Sequence, residues 1–133
     1  MEILYIRGGR KLFGELEIVS AKNSLLPILA GSILCKEDIE INKVAKFSDV
    51  IYMTKILDSL GSDVYFDDDK LLINSSFADN YIVKDEFTKK VRSSVFLLGP
   101  LLARFKKAKV AYPGGCNIGN RPIDLHIDAR DVW

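Results

Sequence analysis

Cys116 lies in the loop Pro113-Gly-Gly-Cys-Asn-Ile-Gly-Asn-Arg-Pro122, among three glycines and five positions ahead of Arg121. A cysteine does chemistry as a thiolate nucleophile or as a proton donor, and exposure beside a guanidinium lowers its pKa toward that range. Pro-Gly-Gly is also ordinary turn chemistry, and many lone cysteines are small buried hydrophobes. Flanking composition separates the two cysteines of the chain. Cys116 sits among glycines and polar residues and reads as reactive, whereas Cys35 ends an apolar stretch and reads as packing. A cysteine-phosphatase loop is excluded by spacing: its arginine belongs one position further along, where Pro122 offers no cation.

The elements that must position this loop follow from periodicity and turn chemistry. Glu2–Arg7 and Glu15–Val19 read as short strands separated by Gly8-Gly9 and Gly14. A helix is predicted over Ser24–Leu34, capped by Asn23 or Ser20, with Pro27 tolerated near the first turn. Ile39–Ile41 alternates with charge as a strand does, and Ser48–Leu60 is amphipathic and closed by Gly61. Val64–Phe66 and Leu71–Ile73 read as a hairpin across Asp67-Asp68-Asp69. That acidic run lacks the ligand spacing of a calcium loop and is explained by the hairpin tip. A second helix is predicted over Thr88–Phe105 and a strand over Lys109–Tyr112, and Pro122 opens a further amphipathic segment as a helix N1 proline would.

A shift of 68 positions sets Gly31 on Gly99, Ile33-Leu34 on Leu101-Leu102 and Lys22 on Lys90. This reads as an internal repeat of one helix-strand-helix-strand-strand unit, its second copy incomplete.

Composition bounds the setting. With 133 residues, the chain is one domain's worth; 48% are hydrophobic and 28% charged, and a net charge of +1 creates no field that would gather nucleic acid or a membrane surface. The longest apolar stretch, Val95–Ala103, is broken by Gly99-Pro100 and too short to span a bilayer, and the N-terminus lacks the order of a signal peptide. Two cysteines that do not look matched fit a reducing, cytoplasmic compartment.

Several short motifs occur together and in order: Gly14-Glu15, Ser20-Ala-Lys-Asn-Ser24, Val91-Arg-Ser-Ser94, Leu98-Gly-Pro-Leu-Leu-Ala-Arg-Phe105, Pro113-Gly-Gly-Cys116, Ile118-Gly119 and Arg121-Pro-Ile-Asp-Leu-His126. On these, from about Ile6 through Ile127, the chain resembles the UDP-N-acetylglucosamine enolpyruvyl transferase (UDP-N-acetylglucosamine 1-carboxyvinyltransferase) family. The shikimate-pathway enolpyruvyl transferase is the nearest rival; Lys22-Asn23, where that family usually has Lys-Ser, and the Cys116 loop point away from it.

The resemblance implies an α/β (α+β) fold of repeated helix-strand-helix-strand-strand units, the inside-out α/β barrel, here incomplete because a domain of that family holds three such units. Part of the core is then expected to be uncovered. Full-length members are much longer and close two domains over their substrates. Residues 1–20 would be strands belonging with the second domain and 21–133 a partial first domain, with Asp128–Trp133 departing from the family's usual continuation.

The implied activity is transfer of the enolpyruvyl group of phosphoenolpyruvate to the 3-hydroxyl of UDP-N-acetylglucosamine in peptidoglycan synthesis, with no metal and no organic cofactor. By resemblance Cys116 is the catalytic proton donor, Lys22, Asn23 and Arg121 hold phosphoenolpyruvate, and Arg92 with Arg121, Pro122, Ile123, Asp124 and Leu125 binds the UDP-sugar. Phosphoenolpyruvate carries a phosphate and a carboxylate, so its pocket needs several cations. Lys22, just before a helix, adds its charge to unpaired amides at the helix N-terminus. Lys89, Lys90, Arg104, Lys106, Lys107 and Lys109 read as solvated, and His126 as a packing or capping residue. The piece by itself is expected to be inactive; a binding remnant and the shikimate enzyme are the alternatives. Oligomeric state is left open.

Overall fold

The computed structural model of the chain describes residues 3–18, 20–112 and Ile123. Its elements in order are α1 (Lys22–Ser32), β1 (Ile39–Ile41), α2 (Ser48–Ser59), β2 (Asp63–Asp67), β3 (Lys70–Asn74), β4 (Ile82–Val83), α3 (Asp85–Thr88), a 3-10 turn (Arg92–Leu97), α4 (Leu98–Phe105) and β5 (Lys109–Val110).

The first unit forms as its sequence pattern predicts. β1, β3 and β2 make an antiparallel sheet in that order, with Ile39 opposite Ile73 and Val64 opposite Ile73 on its other side. Period-two alternation turns Ile39, Ile41, Val64, Phe66, Leu71 and Ile73 toward the core, while Glu40, Tyr65 and Leu72 fall on the opposite face. α1 and α2 pack against each other, and α2 lies on the sheet. Leu29, Ile33, Val50, Met53, Ile56, Leu57 and Leu60 are fully buried between these layers.

Two turns carry the connections. Asp68 adopts a left-handed φ of 53° at the hairpin tip, where an aspartate is tolerated. Gly61 has φ +92° just after Leu60 caps α2, and a Cβ there would lie 3.2 Å from the Ala78 Cα. Both the backbone sign and the close approach require glycine.

The helix caps differ from expectation. Ala21, not Asn23 or Ser20, is the N-cap of α1, and no side chain caps it; the Ser24 hydroxyl instead donates to the Ala21 carbonyl at 2.9 Å. Pro27 is the sixth residue of the helix, beyond the first turn. It has no N–H for the Asn23 carbonyl, so tertiary packing of the Leu25, Leu26 and Leu29 face must offset that loss.

The continuous helix expected over Thr88–Phe105 is broken into α3, the 3-10 turn and α4. The break falls before Gly99 and Pro100: proline removes the amide that would bond the Phe96 carbonyl and is accommodated only because a new helix begins at Leu98. α4 then ends at Lys106, whose φ is +59°. The proposed 68-residue repeat does not match residue for residue, since Gly31 lies near the end of α1 and Gly99 near the start of α4; of its second copy the described residues hold only a helix, α4, followed by a strand, β5. β5 runs for two residues and pairs in parallel with β4, an element too short to leave a periodic signal.

Residues 3–18 contain no strand, contrary to the reading of Glu2–Arg7 and Glu15–Val19. Ile3 to Ile6 is a short apolar run and Glu15-Leu16-Glu17-Ile18 alternates, but no neighbouring strand supplies a ladder, and an isolated strand has no stability of its own. Leu12 and Phe13 are 92% and 102% exposed, and Ile3 to Ile6, Leu16 and Ile18 are exposed with them. The segment is tied to the rest by Glu17, paired with the Lys43 ammonium, and by the Ser20 amide, which donates to the Lys43 carbonyl at 3.4 Å. Ile28, Leu34, Phe77 and Phe96 also face outward.

Candidate functional site

Lys22 is the first residue of α1, not the residue before it, and Asn23 is the second; both are exposed. The opening amides of the helix are uncapped by any side chain, so they and the Lys22 ammonium present positive charge in one place. A cation at a helix N-terminus opposes the helix dipole, and such an arrangement is stabilised by an anion close by. In the structure that anion is Asp49: its Oδ2 accepts from the Lys22 Nζ at 2.8 Å. Asp49 stands in the first turn of α2, where its carboxylate is favourably placed against that helix's own dipole. The side chains of Lys22 and Asp49 are 44% and 30% exposed.

Arg92 opens the 3-10 turn and is half-buried, with Ser93 and Ser94 buried behind it. The 3-10 turn packs directly on α1 and also touches α2, so the element carrying Arg92 and the one carrying Lys22 and Asn23 are neighbours. The Ser93 and Ser94 hydroxyls are buried with no hydrogen-bond partner among the described residues. Ile123 is 7% exposed and belongs to the buried apolar set. Cys116, Arg121, Pro122, Asp124, Leu125 and His126 lie outside the described residues. Cys35 is half-buried, in keeping with a packing role.

Two residues were missed by sequence reasoning. Asp49 was seen only as part of an amphipathic helix; an acidic residue in a first turn is so common that it does not single out a lysine partner 27 residues away. Arg104 reads as solvated from its sequence context, and the structure corrects that. It is half-buried, and its guanidinium donates to the Ile33 carbonyl at 2.5 Å, the Ala78 carbonyl at 3.0 Å and the Ser76 carbonyl at 3.2 Å. These acceptors close the end of α1 and the loop after β3, and the planar fork of an arginine reaches all of them at once. Lys89, Lys90, Lys106, Lys107 and Lys109 are exposed as expected.

No helix among the described residues is long and apolar enough to cross a membrane. In fold, the chain is similar to the enolpyruvyl transferase NikO from Streptomyces tendae, with a TM-score of 0.65 over 74% of this chain and 23% of that one at 19% identity. In sequence, it is 43% identical over 131 residues to a UDP-N-acetylglucosamine 1-carboxyvinyltransferase of Campylobacter fetus subsp. fetus, covering 98% of this chain and 31% of the relative. It is 41% identical over 129 residues to UDP-N-acetylglucosamine 1-carboxyvinyltransferase 1 of Clostridium perfringens, covering 96% and 31%. The Buchnera aphidicola protein of the same name matches at 43% over 127 residues, covering 96% and 30%. The chain thus spans about a third of the length of these relatives. A family model matches residues 6–130, and by that match the chain belongs to the EPSP synthase (3-phosphoshikimate 1-carboxyvinyltransferase) family.

Proposed function

We propose that the chain carries part of the active site of an enolpyruvyl transferase that moves the enolpyruvyl group of phosphoenolpyruvate to the 3-hydroxyl of UDP-N-acetylglucosamine, in the cytoplasm, for peptidoglycan synthesis. The observation that carries this reading is the identity of 41–43% along nearly the whole chain to proteins of that name. The shikimate-pathway reading draws only on the description of the family model, and the Lys22-Asn23 pair and Cys116 loop weigh against it.

In this reading Lys22 and Asn23, with Arg121, hold the phosphate and carboxylate of phosphoenolpyruvate, and the uncapped start of α1 adds its amides to their charge. Arg92, Arg121, Pro122, Ile123, Asp124 and Leu125 bind the UDP-sugar, with Asp124 accepting from the uracil. The sugar hydroxyl adds to the central carbon of phosphoenolpyruvate while Cys116 delivers a proton to the methylene carbon. Loss of a methyl proton and of phosphate from the tetrahedral adduct then restores the double bond. Residues 1–20 belong with a second domain and 21–133 make a partial first domain; the large apolar side chains exposed along 3–18 support that division. The 133 residues, which span about a third of the length of these relatives, bind substrate weakly by themselves and do not turn it over.

The test is phosphate release from phosphoenolpyruvate plus UDP-N-acetylglucosamine. The expected result is background from the chain alone and turnover from the chain extended to the length of its relatives, lost on Cys116→Ala. Turnover of shikimate-3-phosphate but not of the UDP-sugar by the extended protein would move the assignment to the rival enzyme.

A further inference from the structure

The Lys22–Asp49 pair joins the first turns of two helices, α1 and α2, that pack against each other. Exposed ion pairs of this kind contribute little to stability, since holding two side chains in one geometry offsets most of the Coulomb gain. Position is the other thing such a pair changes. A lysine ammonium on a four-carbon stem, 44% exposed, would otherwise sample many rotamers around the opening of α1. Asp49 is a fixed anchor by comparison: it has a short side chain, is 30% exposed, and sits in a helix turn whose dipole favours its charge. Its Oδ2 occupies one of the three Nζ donors of Lys22 and leaves the other two for a ligand.

From this geometry we infer that Asp49 is a positioning residue that holds the Lys22 ammonium at the mouth of α1 for an incoming phosphate or carboxylate. The inference rests on the reading of Lys22 as a phosphoenolpyruvate-holding residue. Charge and position make opposite demands here. A carboxylate beside an anion site repels the ligand, so if Asp49 merely competes for Lys22, deleting it tightens binding. If Asp49 positions Lys22, deleting it weakens binding in spite of the lost repulsion.

Two measurements on the intact chain decide between these. In the first, side-chain nitrogen relaxation reports the order of the Lys22 ammonium without ligand. It should be clearly higher than that of exposed Lys36 and Lys107, fall to their level in Asp49→Ala, and fall less far in Asp49→Asn, which keeps an acceptor without the charge. In the second, titration with phosphoenolpyruvate is followed at the Lys22 and Asn23 amides. Affinity should decrease from the native chain to Asp49→Asn to Asp49→Ala, the last weaker by about two- to tenfold, the cost of ordering one long side chain on binding. A Lys22 ammonium as mobile as that of Lys36, or tighter binding by Asp49→Ala, overturns the inference. An ordered Lys22 whose amide phosphoenolpyruvate does not move instead overturns the phosphoenolpyruvate reading, while the positioning of Lys22 by Asp49 stands on the relaxation data.

Discussion

Replacing Arg104 with alanine is expected to destabilise the chain far more than its sequence context suggests. A solvated arginine on a helix changes stability by about 0.5 kcal/mol or less when truncated. Arg104 instead donates to the carbonyls of Ile33, Ser76 and Ala78, and its guanidinium carbon lies over the Phe105 ring, 5.3 Å from the ring centre. A hydrogen bond to a charged group contributes roughly 1.5–3 kcal/mol, and removing the donor leaves its acceptors without a partner. The three bonds share one half-buried group, so they do not add in full; about 3 kcal/mol is a reasoned total. For a domain of this size that corresponds to a fall in melting temperature of roughly 10 °C. Circular dichroism melts and urea titrations of the native chain, Arg104→Ala and Arg104→Lys would measure it. The lysine variant should recover less than half of the loss, because a point ammonium cannot reach three carbonyls that a planar fork spans. A change below about 0.5 kcal/mol in Arg104→Ala would refute the reasoning and restore the solvated reading.

Gly61→Ala should cost about 1–2 kcal/mol in urea unfolding, the penalty of a left-handed backbone with a Cβ, raised by its 3.2 Å approach to the Ala78 Cα; an unchanged midpoint would show that the loop after β3 simply moves away. The Lys70 ammonium bonds the Glu40 carboxylate at 2.9 Å across β1 and β3, and this bond, then the lysine's charge, holds the Glu40 carboxyl below its ordinary value and the Lys70 ammonium above its own. The lowered carboxyl favours the fold above its unfolded pKa and loses that contribution as pH falls through the folded value; the raised ammonium favours it below its unfolded pKa and loses that as pH rises through the folded one. Side-chain NMR titration should therefore find the Glu40 midpoint below that of an ordinary glutamate, moving back up in Lys70→Ala or in high salt; no movement would remove the pair as the cause. Cys116 should be alkylated by a small electrophile, and by fosfomycin if the phosphoenolpyruvate pocket is formed, faster than half-buried Cys35; peptide mapping that finds equal labelling, or preference for Cys35, would sink the reactive-loop reading.

What the sequence alone determined was local. The strand of Ile39–Ile41, the helix from Ser48 to its glycine stop and the hairpin around Asp67–Asp69 were all legible, because alternation, helical periodicity and turn residues act within a few positions of one another. Lys22, Asn23 and Arg92 could be named from motifs, and the structure sets their elements side by side. What only tertiary structure decided was which groups meet. Residues 3–18 have a strand's pattern and yet form no strand, since a ladder requires a partner that a sequence window does not contain. The helix expected over Thr88–Phe105 is interrupted at Val91, whose backbone is extended, and continues as a 3-10 turn packed on α1 before α4 begins at Leu98, just ahead of Gly99-Pro100. Arg104 and Lys106 are two residues apart on one helix end, and composition treats them alike. One finds three carbonyls from segments 26, 28 and 71 positions away, and the other faces water. Long side chains acquire their roles from whatever the fold brings within their reach, and that distance is set by the packing of distant segments, not by neighbours in the chain.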